Sequence, residues 1–233
     1  MSKKNYIIVF LLSFLLGAVL FVFFFGIDVI NPVNDKWIFQ SYCNWRTRDT
    51  VQHYFGWLFY RNSPWEFPIG LISNMTTDDV SIIYTDSIPI VAVVCKILSP
   101  VLPETFQYLG LCSMLGFALN GAFGGLLIRK GIDKNYVCIV LSAIFVLAPS
   151  LAEMTFIATS LTGQWTILAS LCLWFYAPYN KNWKNIMLWC MLVFLSMGVH
   201  LYIAAMILGI FFFSIVSDYI ENRGLLFNII KLS

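Results

Sequence analysis

The chain has 233 residues, of which 60% are hydrophobic and 11% charged. Soluble domains carry about 25% charged residues, so this composition excludes an ordinary soluble globule and fits an integral membrane protein. A net charge of +2 is too small an excess to point to nucleic acid, and none is expected as a partner.

Lys3 and Lys4 precede an apolar run over residues 6–27. The run is longer than the apolar core of a signal peptide, and no small-x-small cleavage site follows. It is expected to be an uncleaved first span with its N-terminus in the cytoplasm. Residues 28–104 form a polar segment, densest in DTVQHYFGWLFYRNSPWEFPIG from Asp49 to Gly70. This is predicted to be a large external loop containing juxtamembrane helices. Within it, residues 87–102 are apolar but too short to cross, contain Lys96 and are bracketed by Pro89 and Pro100. They are read as an interfacial helix.

Five further spans are expected over 105–217. The first, 106–128, carries Gly110, Gly116, Gly121, Gly124 and Gly125, small residues that let helices approach closely in lipid. Residues 136–148 form the next apolar segment, closed by Pro149, and a semi-polar loop with Glu153 follows. Residues 164–176 form another apolar run. The apolar stretch 186–216 is too long for one span and is read as two, broken at 196–200. Residues 218–233 make a cytoplasmic end. With 87–102 not crossing, Arg129, Lys130, Lys134, Lys181, Lys184 and Arg223 fall on the side of the N-terminus. The polar segment, Glu153 and His200 share the other side, as the positive-inside rule favours. The fold class is therefore an all-α integral membrane bundle of about six transmembrane helices, a single membrane domain over 1–233.

Five of the six cysteines lie in apolar runs as small hydrophobes, whereas Cys43 sits in the polar segment without an obvious partner there. No Cys-x-x-Cys pair or Cys/His metal spacing occurs. Asp49 is flanked by Arg46, Arg48 and His53. Nearby cations would keep it ionised as a general base or metal ligand, or it forms a surface ion pair with its own arginines. Asp86 stands just before the short apolar helix, either as an N-cap or as a second acidic site. Asp78 and Asp79 read as a turn. Trp37, Trp45, Tyr54, Trp57, Tyr60 and Trp65 crowd the segment, as an interfacial aromatic belt or as stacking surfaces for a sugar or lipid tail. Arg61 offers a bidentate contact to a phosphate. Glu153 is expected on the face of Asp49. His200 marks the vertex between two spans, as a packing residue or a site residue.

The elements DTVQHYFGWLFYRNSPWEFPIG, SIIYTDSIPI and TFQYLGL, spanning roughly Asp49 to Gly110, together resemble a family of bacterial multispanning membrane proteins. That family is similar to the GT-C glycosyltransferases, which use polyprenyl-phosphate-linked sugars. The resemblance implies a bacterial plasma-membrane enzyme, or the N-terminal portion of one. It would transfer sugar to a surface glycan or lipid acceptor, with inversion. It implies Asp49 as the catalytic carboxylate and Glu153 or Asp86 as a second acid. Arg61, or a divalent metal held by the acids, would stabilise the leaving phosphate. His53, Trp57, Trp65 and His200 are further candidates for substrate contact. GT-C enzymes have eight or more spans, so about six here implies a truncated product, a fragment or one part of a split enzyme. The competing expectation is a non-catalytic component or transporter of a surface-polysaccharide pathway. A transporter should carry ionisable groups within its spans, and here the acids gather at one surface.

Overall fold

The computed structural model describes residues 3–40, 48–73, 79–177 and 182–231. In chain order these form α1 (Lys3–Phe25), α2 (Lys36–Gln40), α3 (Arg48–Asn62), β1 (Leu71–Ile72), β2 (Val80–Ser81), α4 (Pro89–Ile97), α5 (Leu109–Arg129), α6 (Asn135–Val146), α7 (Pro149–Ile157), α8 (Trp165–Tyr176), α9 (Trp183–Val199) and α10 (Leu201–Lys231). The two short strands pair antiparallel, Leu71 opposite Ser81 and Ile72 opposite Val80. The all-α expectation holds apart from this ribbon.

Among the described residues, three helices are long and apolar enough to cross a membrane: α1, α5 and the 201–220 part of α10. The bent pair α6–α7 raises the number to four if it is one span broken by 55°. The break has a plain cause, since Pro149 at the first position of α7 lacks the N–H that would continue α6. Glu153, expected in a loop, therefore lies on a helix. The 12 residues of α8 and 17 of α9 fall short of the ~20 that a straight crossing needs. Between α9 and α10 the chain breaks at His200, whose extended backbone (φ −163°) ends one helix and begins the next.

Small residues set the main helix pair. On α1, Val9, Ser13, Gly17 and Phe21 recur every fourth position and are buried, while Ile7, Leu11, Leu15, Val19 and Phe23 face outward. A Cβ on Gly121 of α5 would stand 2.5 Å from the Ser13 carbonyl oxygen, so only glycine permits that approach. At one end of the bundle, Tyr6 of α1 meets Tyr176 of α8 edge-on at 5.6 Å. There the Arg129 guanidinium lies over the Tyr6 ring and the Lys130 ammonium over Tyr176. The start of α1, the 129–134 loop and the end of α8 thus share one basic end.

The segment after α1 folds back at the opposite end. Gln107 there anchors it: its amide donates to the carbonyls of Val29 (3.0 Å) and Asn31 (2.8 Å), and its oxygen accepts from the Gly110 N–H. The largest apolar cluster lies here, with Val29, Ile38, Val51, Tyr54, Trp57, Tyr60, Ile82 and Leu109 among its buried members. The polar segment is therefore a packed subdomain seated on the bundle. Residues 87–102 hold the short helix α4 and a 3-10 turn. The nine residues of α4 rise only ~14 Å. They bury Ala92, Cys95 and Lys96, leaving Val94, Ile97, Leu98 and Val101 exposed, a face suited to the membrane interface.

Candidate functional site at the polar end

Three stretches of sequence meet at one place. Gly56 of α3 lies against the turn that runs from Ile82–Thr85 into α4. A Cβ there would stand 2.6 Å from the Ser87 hydroxyl oxygen and closer still to Thr85. Ser87, fully buried, donates to the His53 carbonyl at 2.6 Å and shares a hydrogen bond with the Thr85 hydroxyl at 2.7 Å. The Tyr108 hydroxyl donates to the Ser87 carbonyl. So Gly56, Ser87 and Tyr108, none of them singled out by chemistry in the sequence, clamp one loop.

That loop presents Asp86. Its backbone is left-handed (φ 52°, ψ 26°), and Ile88 is also at φ 52°. For a β-branched residue such as Ile88 this is an unusual conformation, costing on the order of 1–3 kcal/mol. The hydrogen bonds on both sides of Ser87 hold it. Asp86 does not cap α4, since Ile88 occupies the cap position. Its Oδ1 instead stands 3.4 Å from His200 Nε2. The other ring nitrogen of His200, Nδ1, accepts from the Tyr202 backbone N–H at 3.2 Å. This fixes the tautomer: Nε2 carries the proton and faces Asp86 at 3.4 Å. A cavity of about 280 Å³ opens on the pair, lined also by Tyr84, Met197 and Tyr202.

His53 lies beside this pair, 2% exposed, with Nδ1 lacking a hydrogen-bond partner among the described residues. Burial, and then the nearby His200, push its imidazole down to about 4. Burial also lowers His200, while Asp86 opposes the shift. A histidine held neutral in the fold but free to protonate when unfolded contributes stability above its ordinary pKa of about 6.5 and loses it as the pH falls. For His53 the loss runs from about pH 6.5 to about 4. Its expected slope is about 1.4 kcal/mol per pH unit. Thermal melts in detergent at pH 7 and pH 5 should show the difference, and His53→Asn should flatten it.

The other expected residues are placed as follows. Asp49 is exposed in the first turn of α3, one turn before His53, and lines none of the cavities described here. Arg46 and the Arg48 side chain, expected to hold it ionised, lie outside the described residues, as do Cys43, Trp45, Asp78 and Lys181. Glu153 is exposed on α7, which packs against α3. The acids thus share an end of the molecule. Among the described residues, however, no three His, Cys, Asp or Glu side chains come together as a ligand set for a metal.

Two expectations about substrate contact change. Trp57 is wholly buried, its indole N–H donating to the Phe106 carbonyl at 2.9 Å, so it is core rather than belt or stacking surface. Tyr54 and Tyr60 are buried with it, and among the described members of the group only Trp65 is exposed. Arg61 donates through Nη1 to the carbonyls of Pro103 and Glu104, and through Nη2 to those of Ser99 and Leu102. Four of its five N–H groups are engaged, which makes it a tether for the chain after α4. Arg61→Met should lower stability by about 2–3 kcal/mol, the order expected for losing charged donors to carbonyls. Arg61→Lys, with one compact ammonium, should recover only part of it. Equal melting of all three proteins would refute the tether.

Beside Arg61 lies a second, polar cavity of about 630 Å³, lined by Asp35, Phe39, Tyr54, Asn62, Glu104 and Thr105 among others. The Tyr54 hydroxyl reaches Asp35 at 3.4 Å. Carboxylates, an amide and two rings around such a space are groups that bind sugar hydroxyls and ring faces.

No curated protein and no solved structure shows significant similarity to the chain. A family model described as a domain of unknown function, DUF6311, matches residues 14–232, and the chain belongs to that family.

Proposed function

We propose that the chain is a GT-C-like membrane glycosyltransferase, or the N-terminal part of one, moving a sugar from a polyprenyl-phosphate donor to a surface glycan or lipid acceptor. The observation that carries the reading is Asp86: a carboxylate held in a left-handed turn, its Oδ1 3.4 Å from His200 Nε2, beside a cavity at the bundle's polar end. In this reading Asp86 is the base and His200 positions it. The acceptor hydroxyl gives its proton to Asp86 and attacks the sugar's anomeric carbon. The bond from that carbon to the phosphate oxygen breaks, and polyprenyl phosphate leaves with the electron pair. The polar cavity by Asp35 and Glu104 has room and chemistry for a sugar. Transport is less well supported: among the described residues, the polar groups buried along the long apolar helices are Asn120, serine hydroxyls and, at the last position of α5, Arg129, which is paired with Asp133.

The reading places the protein in a bacterial plasma membrane with a cytoplasmic N-terminus. It counts six spans, α6–α7 as one and α8 with its preceding 3-10 turn as another. Membranes containing the full chain should transfer label from a polyprenyl-phosphate-linked sugar to an extractable glycan or lipid. Transfer no greater than in membranes lacking the chain, across a panel of such donors, would reject the enzyme. Single cysteines placed beside Lys130 and Lys184 should resist an external thiol reagent in intact cells, and external labelling of both would invert the topology.

A further inference from the structure

A further cavity, sharing no lining residue with the one at Asp86, runs along the side of the bundle. It is a lateral groove of about 850 Å³ walled by Phe123 and Leu126 of α5, Trp165 and Leu173 of α8, and Leu188 and Leu195 of α9. The neighbouring Met191 and Phe194, which also line it, are exposed. A soluble protein would not leave such a surface open, and in a membrane it faces hydrocarbon.

Its two ends differ. Tyr6 and Tyr176 line the groove at the basic end. Lys130 sits on the Tyr176 ring, 5.3 Å from its centroid, and donates to the Phe175 carbonyl at 3.1 Å. That leaves N–H groups of its ammonium for another acceptor. Exposed Lys184 lies four residues before Leu188 on α9, hence on the groove's stripe and one turn nearer the basic end. Arg129 is not counted, since Asp133 pairs with it at 3.2 Å. From Tyr176 back to Trp165 the groove follows α8 for about 16 Å. That is close to half the ~30 Å hydrocarbon thickness.

An apolar trough one leaflet deep, with two lysines and two tyrosines at its mouth, is complementary to one ligand. We propose that the groove binds a single anionic phospholipid of the leaflet at the basic end. Its acyl chains lie along α8 and α9, and its phosphate meets Lys130 and Lys184. The site is independent of the glycosyltransferase reading, because its charged mouth and Asp86 lie at opposite ends of the bundle.

Native mass spectrometry of the full chain in detergent tests this with dioleoyl phosphatidylglycerol and dioleoyl phosphatidylcholine as probes. One phosphatidylglycerol should be retained in preference to phosphatidylcholine. Lys130→Gln and Lys184→Gln should each reduce that preference roughly fivefold, the effect of removing a cation from an anionic lipid surface. Both side chains are at the surface, so the fold should survive. Leu188→Trp, which fills the trough at a half-exposed position, should weaken retention of both lipids. Equal retention of the two lipids, or a preference that both lysine variants keep, would overturn the proposal. Disulfide cross-linking between chains carrying Leu188→Cys would overturn it in favour of a second copy as the occupant.

Discussion

Asp86→Asn is expected to lower sugar transfer about 10²–10⁴-fold, the loss typical of a positioned general base, with the protein still inserted and folded. The substitution keeps the size and shape of the side chain beside His200. It removes the negative charge and the basicity. A purely structural role for the Asp86–His200 contact predicts much less. Asp86 is partly exposed, and an ion pair in such a setting contributes up to about 1 kcal/mol. His200→Gln is the companion, and it should leave a slow enzyme whose dependence on pH has moved, since Asp86 would lose the imidazole beside it. Asp49→Asn separates the two acids. An exposed carboxylate in the first turn of a helix stabilises that end by about 0.3–1 kcal/mol, so turnover should stay within a few-fold. Loss of transfer from Asp49→Asn with activity retained in Asp86→Asn would exchange the roles and return the base to the residue the resemblance implied. Full activity in both would remove the strongest residue-level support for an enzyme.

Much of this arrangement was legible in the sequence, for identifiable reasons. Length and hydropathy located α1 and α5, and the shortness of the helix within residues 87–102 followed from their length and bracketing prolines. The break at His200 was visible because 31 apolar residues cannot stay straight within one bilayer. Charge distribution separated the basic end from the polar one, and the tyrosine and lysine contacts at 5–6 Å agree with that division. What the sequence hid was the direction of individual side chains. Arg61 looks like a phosphate ligand, yet four backbone carbonyls of the chain after α4 converge on its guanidinium. Trp57 and Tyr60 look interfacial but face inward, because α3 packs onto the bundle instead of lying free on a bilayer. The Asp86–His200 pair joins residues 114 positions apart by subtraction, and no local pattern reports such a contact. Gly56, Ser87 and Tyr108 stood inside the quoted motifs, but their role is steric and appears only when the three segments are seen together.

Gly56 therefore provides the sharpest separation of geometry from chemistry. Gly56→Ala adds one methyl group on the face of α3 that touches the Asp86 loop. That methyl would lie 2.6 Å from the Ser87 hydroxyl oxygen and nearer to Thr85, where both side chains are buried and hydrogen-bonded. The usual escape, rotation of a flexible neighbour, is closed, because the Ser87 hydroxyl donates to the His53 carbonyl and accepts from the Thr85 hydroxyl, which also lies 2.8 Å from the Ile82 carbonyl. The loop must move as a body, and with Asp86 and Ile88 already left-handed it has few other conformations to enter. Overpacking of this kind costs about 1–3 kcal/mol, which a melt in detergent would register. The larger effect should fall on turnover. Displacing the loop carries Asp86 away from His200, and a misplacement of about 1 Å can cost on the order of 10²-fold in rate. Gly56→Ala should therefore approach the Asp86→Asn protein in activity while keeping every charged group in the site. Adding Asp86→Asn to it should lower transfer little further, since both changes disable one device. A fully active Gly56→Ala protein would show that the loop tolerates displacement, and that Asp86 is not the base. Independent, multiplying losses from the two substitutions would instead place Gly56 outside the device that positions Asp86.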